Sequence, residues 1–114
     1  MAITEKLQKL GSKNIVITGI QNGNNISNFI YKQNGTYTFL SSLKVGSRRA
    51  GTGDVFSSIL AADCVNHIPI EDSVQKAAHF VAKAITISDD QAIPSQDGVC
   101  FERLLGELIP PHTA

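Results

Sequence analysis

Apolar residues change their spacing several times along the chain, and each change marks an element. Ile3, Leu7 and Leu10 recur at helical spacing and Gly11 follows, which predicts a short helix over 3–10 with glycine as its stop. Residues 14–18, Asn-Ile-Val-Ile-Thr, then set three β-branched apolar residues side by side before Gly19. Such a run suits a strand buried on both faces, the kind found in parallel sheets. Asn-Gly pairs follow at 22–23 and 34–35. The second lies between 26–33 and 36–41, both rich in Ile, Phe, Tyr and Thr, and this predicts a hairpin. A two-residue link there would set Ile30 opposite Phe39 and Tyr31 opposite Thr38.

The period then becomes helical. Val55, Phe56, Ile59 and Leu60 predict a helix running to about Asn66. Pro69 restarts the chain, and Val74, Ala77, Ala78, Val81 and Ile85 form the buried stripe of a helix over 70–88, with Glu71 and Asp72 in its first turn. Residues 89–98 read as a polar loop. A last helix over 99–108 would bury Phe101, Leu104, Leu105 and Leu108 before Pro110-Pro111 stops it. Helix, apolar strand, hairpin and helices make an α/β chain, with residues 1–114 as one domain. The strand at 14–18 wants neighbours of its own type and the sequence offers none. The sheet is therefore expected to be incomplete, either because the chain is part of a larger α/β protein or because strands come from another copy.

Composition narrows the function. Ten acidic residues balance ten basic ones, so no net field draws the chain to nucleic acid or an anionic membrane. No apolar run approaches the ~20 residues of a membrane helix. The first residues lack a basic stretch followed by an apolar one, which points to a cytoplasmic protein. Cys64 and Cys100 read as reduced, buried hydrophobes, and the triplets at 25–27 and 34–36 as chance glycosylation matches.

The candidate chemistry lies at Gly51-Thr52-Gly53-Asp54, directly before the helix ending near Asn66. Two glycines in three residues let backbone approach a ligand, and a helix N-terminus presents unpartnered amides and positive dipole to an anion. Asp54 would be repelled by a bound phosphate and should face something else, such as an attacking hydroxyl. The plainer alternative is that Thr52 or Asp54 caps the helix. Arg48 and Arg49 could reach phosphates or form a solvated loop pair. His67 and His79, twelve apart, make no metal-ligand pattern, and His112 lies in the tail. Asp63, Asp89, Asp90 and Asp97 read as solvated acids.

With that motif in its setting, the chain resembles the C-terminal half of the ribokinase-like small-molecule kinases, above all the pyridoxal/pyridoxamine (vitamin B6) kinases. The matching text is Ile15 to Gly19, Val45 to Phe56, and Asp97 to Glu102. The resemblance implies the C-terminal part of a three-layer fold, with a buried parallel strand, a hairpin and then helices. It implies transfer of the ATP γ-phosphate to the 5′-hydroxyl of pyridoxal, pyridoxamine or pyridoxine. Asp54 matches the family's general base. Gly51, Thr52, Gly53 and Asp54 match its anion hole. Thr18 and Gly19 match ATP-phosphate contacts, Val45 an adenine contact, and Arg49 is a further candidate at the phosphates. Mg²⁺ is implied, with ligands mostly outside this chain and no metal site within it. The expected partners are ATP and a B6 vitamer, together with a missing N-terminal half or further copies of the chain. Since most of the vitamin pocket belongs to that other half, negligible kinase activity is expected of these residues alone. The alternatives are a hydroxymethylpyrimidine (phosphate) kinase or another ribokinase-like kinase, and a non-catalytic nucleotide-binding or structural segment.

Overall fold

A computed structural model describes residues 2–46, 49, 51–93, 98 and 102–108. Expectations for Arg48, Asp97, Cys100, Phe101, Pro110, Pro111 and His112 lie outside these residues. The chain forms two compact units, Met1–Lys44 and Val45–Ala114.

The first unit opens with helix α1 (Ala2–Lys9), followed by strands β1 (Ile15–Asn22), β2 (Asn25–Tyr31) and β3 (Tyr37–Leu43). The strands make one antiparallel sheet in the order β1-β2-β3. Asn22 pairs with Asn25, so the first Asn-Gly pair serves a two-residue link, Gly23-Asn24, with Gly23 at φ 63°. The second link is longer than the sequence predicted. Tyr31 pairs with Tyr37, Ile30 with Thr38 and Phe29 with Phe39, which leaves five residues in the turn and moves the expected register by one. Asn34 explains it: its Oδ1 accepts from both the amide and the hydroxyl of Thr36, at 3.0 and 2.6 Å, and Lys32 N donates to Thr36 O at 2.8 Å. A one-residue slip exchanges the two faces. The observed register gathers Phe29, Tyr31, Tyr37 and Phe39 on one face, with Phe29 4.7 Å from Phe39 and 5.8 Å from Tyr37, centroid to centroid. Tilted aromatic pairs of this kind contribute about 0.5–1.5 kcal/mol each beyond their burial.

β1 differs from its expected burial. Ile15 is buried with Phe29 and Tyr31, Val16 and Ile17 are half-buried, and the rest of the strand is exposed. The parallel neighbours expected of it are not found among the described residues: β1 pairs with β2 alone, and antiparallel. α1 lies against β1, but not by its apolar stripe. Thr4 is fully buried while Ile3 and Leu10 are exposed, and Gln8 Nε2 donates to Lys32 O at 3.0 Å.

The second unit holds helices α2 (Thr52–Val65) and α3 (Ile70–Asp90), packed together, and a 3-10 helix at Glu102–Leu108. Phe56 and Ile59 of α2, Val74, Ala77, Phe80 and Ala84 of α3, and Leu104 are its buried apolar residues. Each large one contributes about 1.5–3 kcal/mol by burial. Both helices end alike. His67 N donates to Cys64 O and Ile68 N to Asp63 O; Ala92 N donates to Asp89 O and Ile93 N to Ser88 O. With His67 at φ 59° and Ala92 at φ 56°, these are Schellman stops built without glycine.

Candidate active site

Gly51 is the N-cap of α2, left-handed at φ 81°, and no side chain caps the helix. A residue with a Cβ would pay about 1–2 kcal/mol for that φ. The capping alternative therefore fails: Thr52 Oγ1 turns back to Arg49 O at 3.3 Å, and Asp54 is exposed. Helix geometry leaves the first amides of α2 without intrahelical acceptors. Gly53 is exposed, lies inside the first turn, and a Cβ there would meet nothing within 4 Å. Glycine costs about 1 kcal/mol in a helix, and among the described residues no packing reason offsets it. Bare amides, an open Gly53 and an exposed carboxylate thus share one turn.

Arg49 does not point at that turn. Its side chain is 2% exposed and is spent on Asp89, with Nη2 at 2.7 Å and Nε at 3.2 Å from Oδ1. Nη2 also donates to Ile93 O and Nη1 to Gly98 O, at 2.7 and 2.9 Å. The guanidinium expected at ATP phosphates is thus placed as an internal strut. Val45, the expected adenine contact, is exposed at the start of the same loop.

Thr18 and Gly19 form a bulge. Ile17 pairs with Phe29 and Ile20 with Ser27, so two residues of β1 oppose Asn28 alone. Gly19 has φ 70°, and its amide donates to the buried Asn28 Oδ1 at 3.3 Å. A left-handed glycine is what this kind of bulge requires, and bulges re-aim the side chains beside them. Both residues are exposed. They lie in the first unit, whereas Val45 and Gly51–Asp54 lie in the second.

Three further expectations need correction. Asp63, read as solvated, is buried; it accepts from Ser73 Oγ at 2.6 Å and Lys76 Nζ at 2.8 Å. Burial alone would raise its carboxyl pKa, but the hydrogen bonds from Lys76 and Ser73 and the Lys76 charge together hold it below 3.8. Asp89, read as a solvated loop acid, belongs to α3 and pairs with Arg49. Cys64, read as buried, is exposed. The signal for Asp63 was present: a carboxylate in an otherwise apolar run, with Ser73 and Lys76 spaced i, i+3 on the next helix. A groove of about 630 Å³ runs between α2, α3 and the 3-10 helix, lined by Asp54, Ser58, Ile59, Asp63, Lys76 and Leu105 among others. Among the described residues no three His, Cys, Asp or Glu gather to hold a metal ion, and no helix is long and apolar enough to cross a membrane.

The chain is similar to several known proteins. A hydroxymethylpyrimidine/phosphomethylpyrimidine kinase of Aquifex aeolicus (strain VF5) is 29% identical over 82 residues, which cover 71% of this chain and 32% of that protein. A crystal structure from Bacteroides thetaiotaomicron, described as a phosphomethylpyrimidine kinase, superposes with TM-score 0.85 at 20% identity, over 96% of this chain and 38% of that one. A second crystal form of it, with pyridoxal, gives TM-score 0.79 at 18% identity, over 96% and 40%. The pyridoxal kinase of Lactobacillus plantarum gives TM-score 0.73 at 20% identity, over 83% and 34%. At these identities the structures speak for the fold, which is the α/β ribokinase-like one. The chain spans between a third and two fifths of its relatives' lengths. The phosphomethylpyrimidine kinase family model matches residues 1–99, nearly the whole sequence, and the chain belongs to that family of ribokinase-like kinases.

Proposed function

We propose that this chain supplies the phosphate-holding turn and the proton acceptor of an ATP-dependent kinase. Its substrate would be the hydroxymethyl group of a nitrogen heteroaromatic ring, either a B6 vitamer or a hydroxymethylpyrimidine. The observation that carries the reading is the uncapped start of α2, with Gly53 open and Asp54 exposed in the same turn. The substrate hydroxyl oxygen bonds to the γ-phosphorus while the bond from that phosphorus to the β–γ bridging oxygen breaks. Asp54 takes the hydroxyl proton, ADP leaves, and the amides of Gly51–Asp54 hold charge on the transferring phosphoryl. Thr18 and Gly19 would meet the ATP phosphates and Val45 the adenine. Mg²⁺ would neutralise phosphate charge, and its ligands are not gathered among the described residues.

Two observations bear on the ring. The Aquifex relative is a pyrimidine kinase, whereas the Bacteroides protein was crystallised with pyridoxal; turnover of pyridoxal against hydroxymethylpyrimidine decides between them. Because the chain spans so small a share of its relatives, the 114 residues alone should turn over neither substrate. A rate near one per second, where ordinary enzyme values begin, would refute that. In the complete kinase, Asp54→Asn should cut kcat by at least about 100-fold, the low end for a general base, and leave ATP affinity within about twofold. Equal kcat would remove Asp54 from the role.

A further inference from the structure

We propose that Asp89, at the far end of α3, is a positioning residue for the Gly51–Asp54 turn and acts on it through Arg49. The proposal rests on the reading of that turn as the nucleotide-phosphate site. Nothing in the sequence links positions 49 and 89; the fold brings them together.

A buried guanidinium is costly unless it is paired and its remaining donors are met. Arg49 meets both conditions with acceptors drawn from one place, the end of α3 and the chain just beyond it: the Asp89 carboxylate, Ile93 O and Gly98 O. The C-terminal end of a helix favours a cation in addition. Thus the Arg49 side chain is fixed to α3. Its main chain is fixed to α2, since Arg49 O accepts from Thr52 Oγ1 and Gly51 O from Val55 N at 3.1 Å. One residue therefore joins the end of one helix to the first turn of the other. Gly46 tightens the same junction, because a Cβ there would run into Ile85 Cγ2 and lie 2.6 Å from Asp89 Oδ2. The left-handed Gly51 and the direction of the Thr52–Asp54 amides follow from where Arg49 is held. A planar fork gripping one carboxylate oxygen through two nitrogens fixes orientation as well as position, which an ammonium would not.

The test compares wild type with Asp89→Asn, Asp89→Glu and Arg49→Lys. The measurements are the amide shifts of Thr52, Gly53 and Asp54, hydrogen exchange at the Val55 amide, and the affinity for ATP. Asp89→Asn keeps the shape and removes the charge. It should shift the Thr52–Asp54 amide resonances and raise exchange at the Val55 amide, which donates to Gly51 O, at least tenfold while the α3 amides of Val74–Phe80 stay protected. It should also weaken ATP binding about tenfold, and Asp89→Glu should restore most of both. A purely stabilising role would lower protection throughout the unit and leave the ATP affinity of the folded protein unchanged; that result overturns the proposal. If Asp89→Asn does not fold, Arg49→Lys decides: unaltered Thr52–Asp54 shifts and Val55 exchange overturn the proposal, and local changes confined to that turn support it. If wild type fails to bind ATP, the nucleotide reading falls while the exchange measurement still settles whether Asp89 sets the turn.

Discussion

Replacing Gly46 by alanine should destabilise the protein more than the same change at Gly23, and the difference measures how closely the loop presses on α3. The two glycines share φ 63°. Alanine at either pays about 1–2 kcal/mol for a left-handed backbone, and the loss of unfolded-chain freedom is the same at both. They differ in surroundings. A Cβ at Gly23 meets nothing within 4 Å, whereas at Gly46 it collides with Ile85 Cγ2 and sits 2.6 Å from Asp89 Oδ2. Neither neighbour is free to withdraw: Ile85 is half-buried on α3, and Asp89 is held by Arg49. Overpacking of that order costs about 1–3 kcal/mol, so Gly46→Ala should total about 2–5 kcal/mol against about 1–2 for Gly23→Ala. In urea, with a slope of about 2 kcal/mol per M, the extra loss moves the midpoint down by a further 0.5–1.5 M or about that. Equal midpoints for the two variants would show that the loop does not approach α3 as described.

Asp63→Asn should cost about 1–3 kcal/mol at pH 7, a range kept low because the Lys76 side chain is 36% exposed. The folded Asp63 pKa is lowered, so the native state binds fewer protons than the unfolded one around pH 4. The contribution is therefore complete above the unfolded value of about 3.9 and is lost as pH falls through the folded one. The stability gap between wild type and variant should close on acidification below pH 4, and a gap that widens there contradicts the assignment. Ala92→Gly should stabilise by about 0.5–1 kcal/mol, because Ala92 occupies the left-handed position of the α3 stop where glycine carries no Cβ penalty; a lower unfolding midpoint would refute that account.

The readable parts of the sequence were those where one residue type has one physical use. Gly51-Thr52-Gly53-Asp54 announced a glycine turn opening a helix, and the fold places it there. Of the expected α3 stripe Val74 and Ala77 are core, Ala78, Val81 and Ile85 are half-buried, and Phe80 and Ala84 complete the buried face. What escaped depended on partners distant in the chain. Asp89 carries no local mark of burial, and Asp63 only its place in an apolar run, because Ser73, Lys76 and Arg49 reach them only after α2 and α3 pack. The hairpin register turned on a side chain: Asn34 accepting twice from Thr36 favours a five-residue turn over the two-residue link that Asn-Gly suggests. Thr18-Gly19 read as the end of a strand, yet pairing with β2 continues to Asn22 once the bulge absorbs one residue.

The composition of α2 explains why a local site can be legible while its surroundings are not. The helix is apolar on nearly every side, and such a helix belongs between two layers rather than on a surface. Here α3 covers the side bearing Phe56, Ile59 and Asp63, and Val65 stands 77% exposed with Ala61 and Cys64 also open. β1 repeats the pattern, with β-branched residues chosen for burial and only Ile15 fully buried. Both elements carry apolar residues that no neighbour covers among the described residues, and the chain's relatives are between two and three times as long. The glycine turn depends on none of those neighbours for its own shape. Gly51, Thr52 and Arg49 close it through bonds within fifty residues. The shape of the turn is therefore set by bonds among the described residues of this chain.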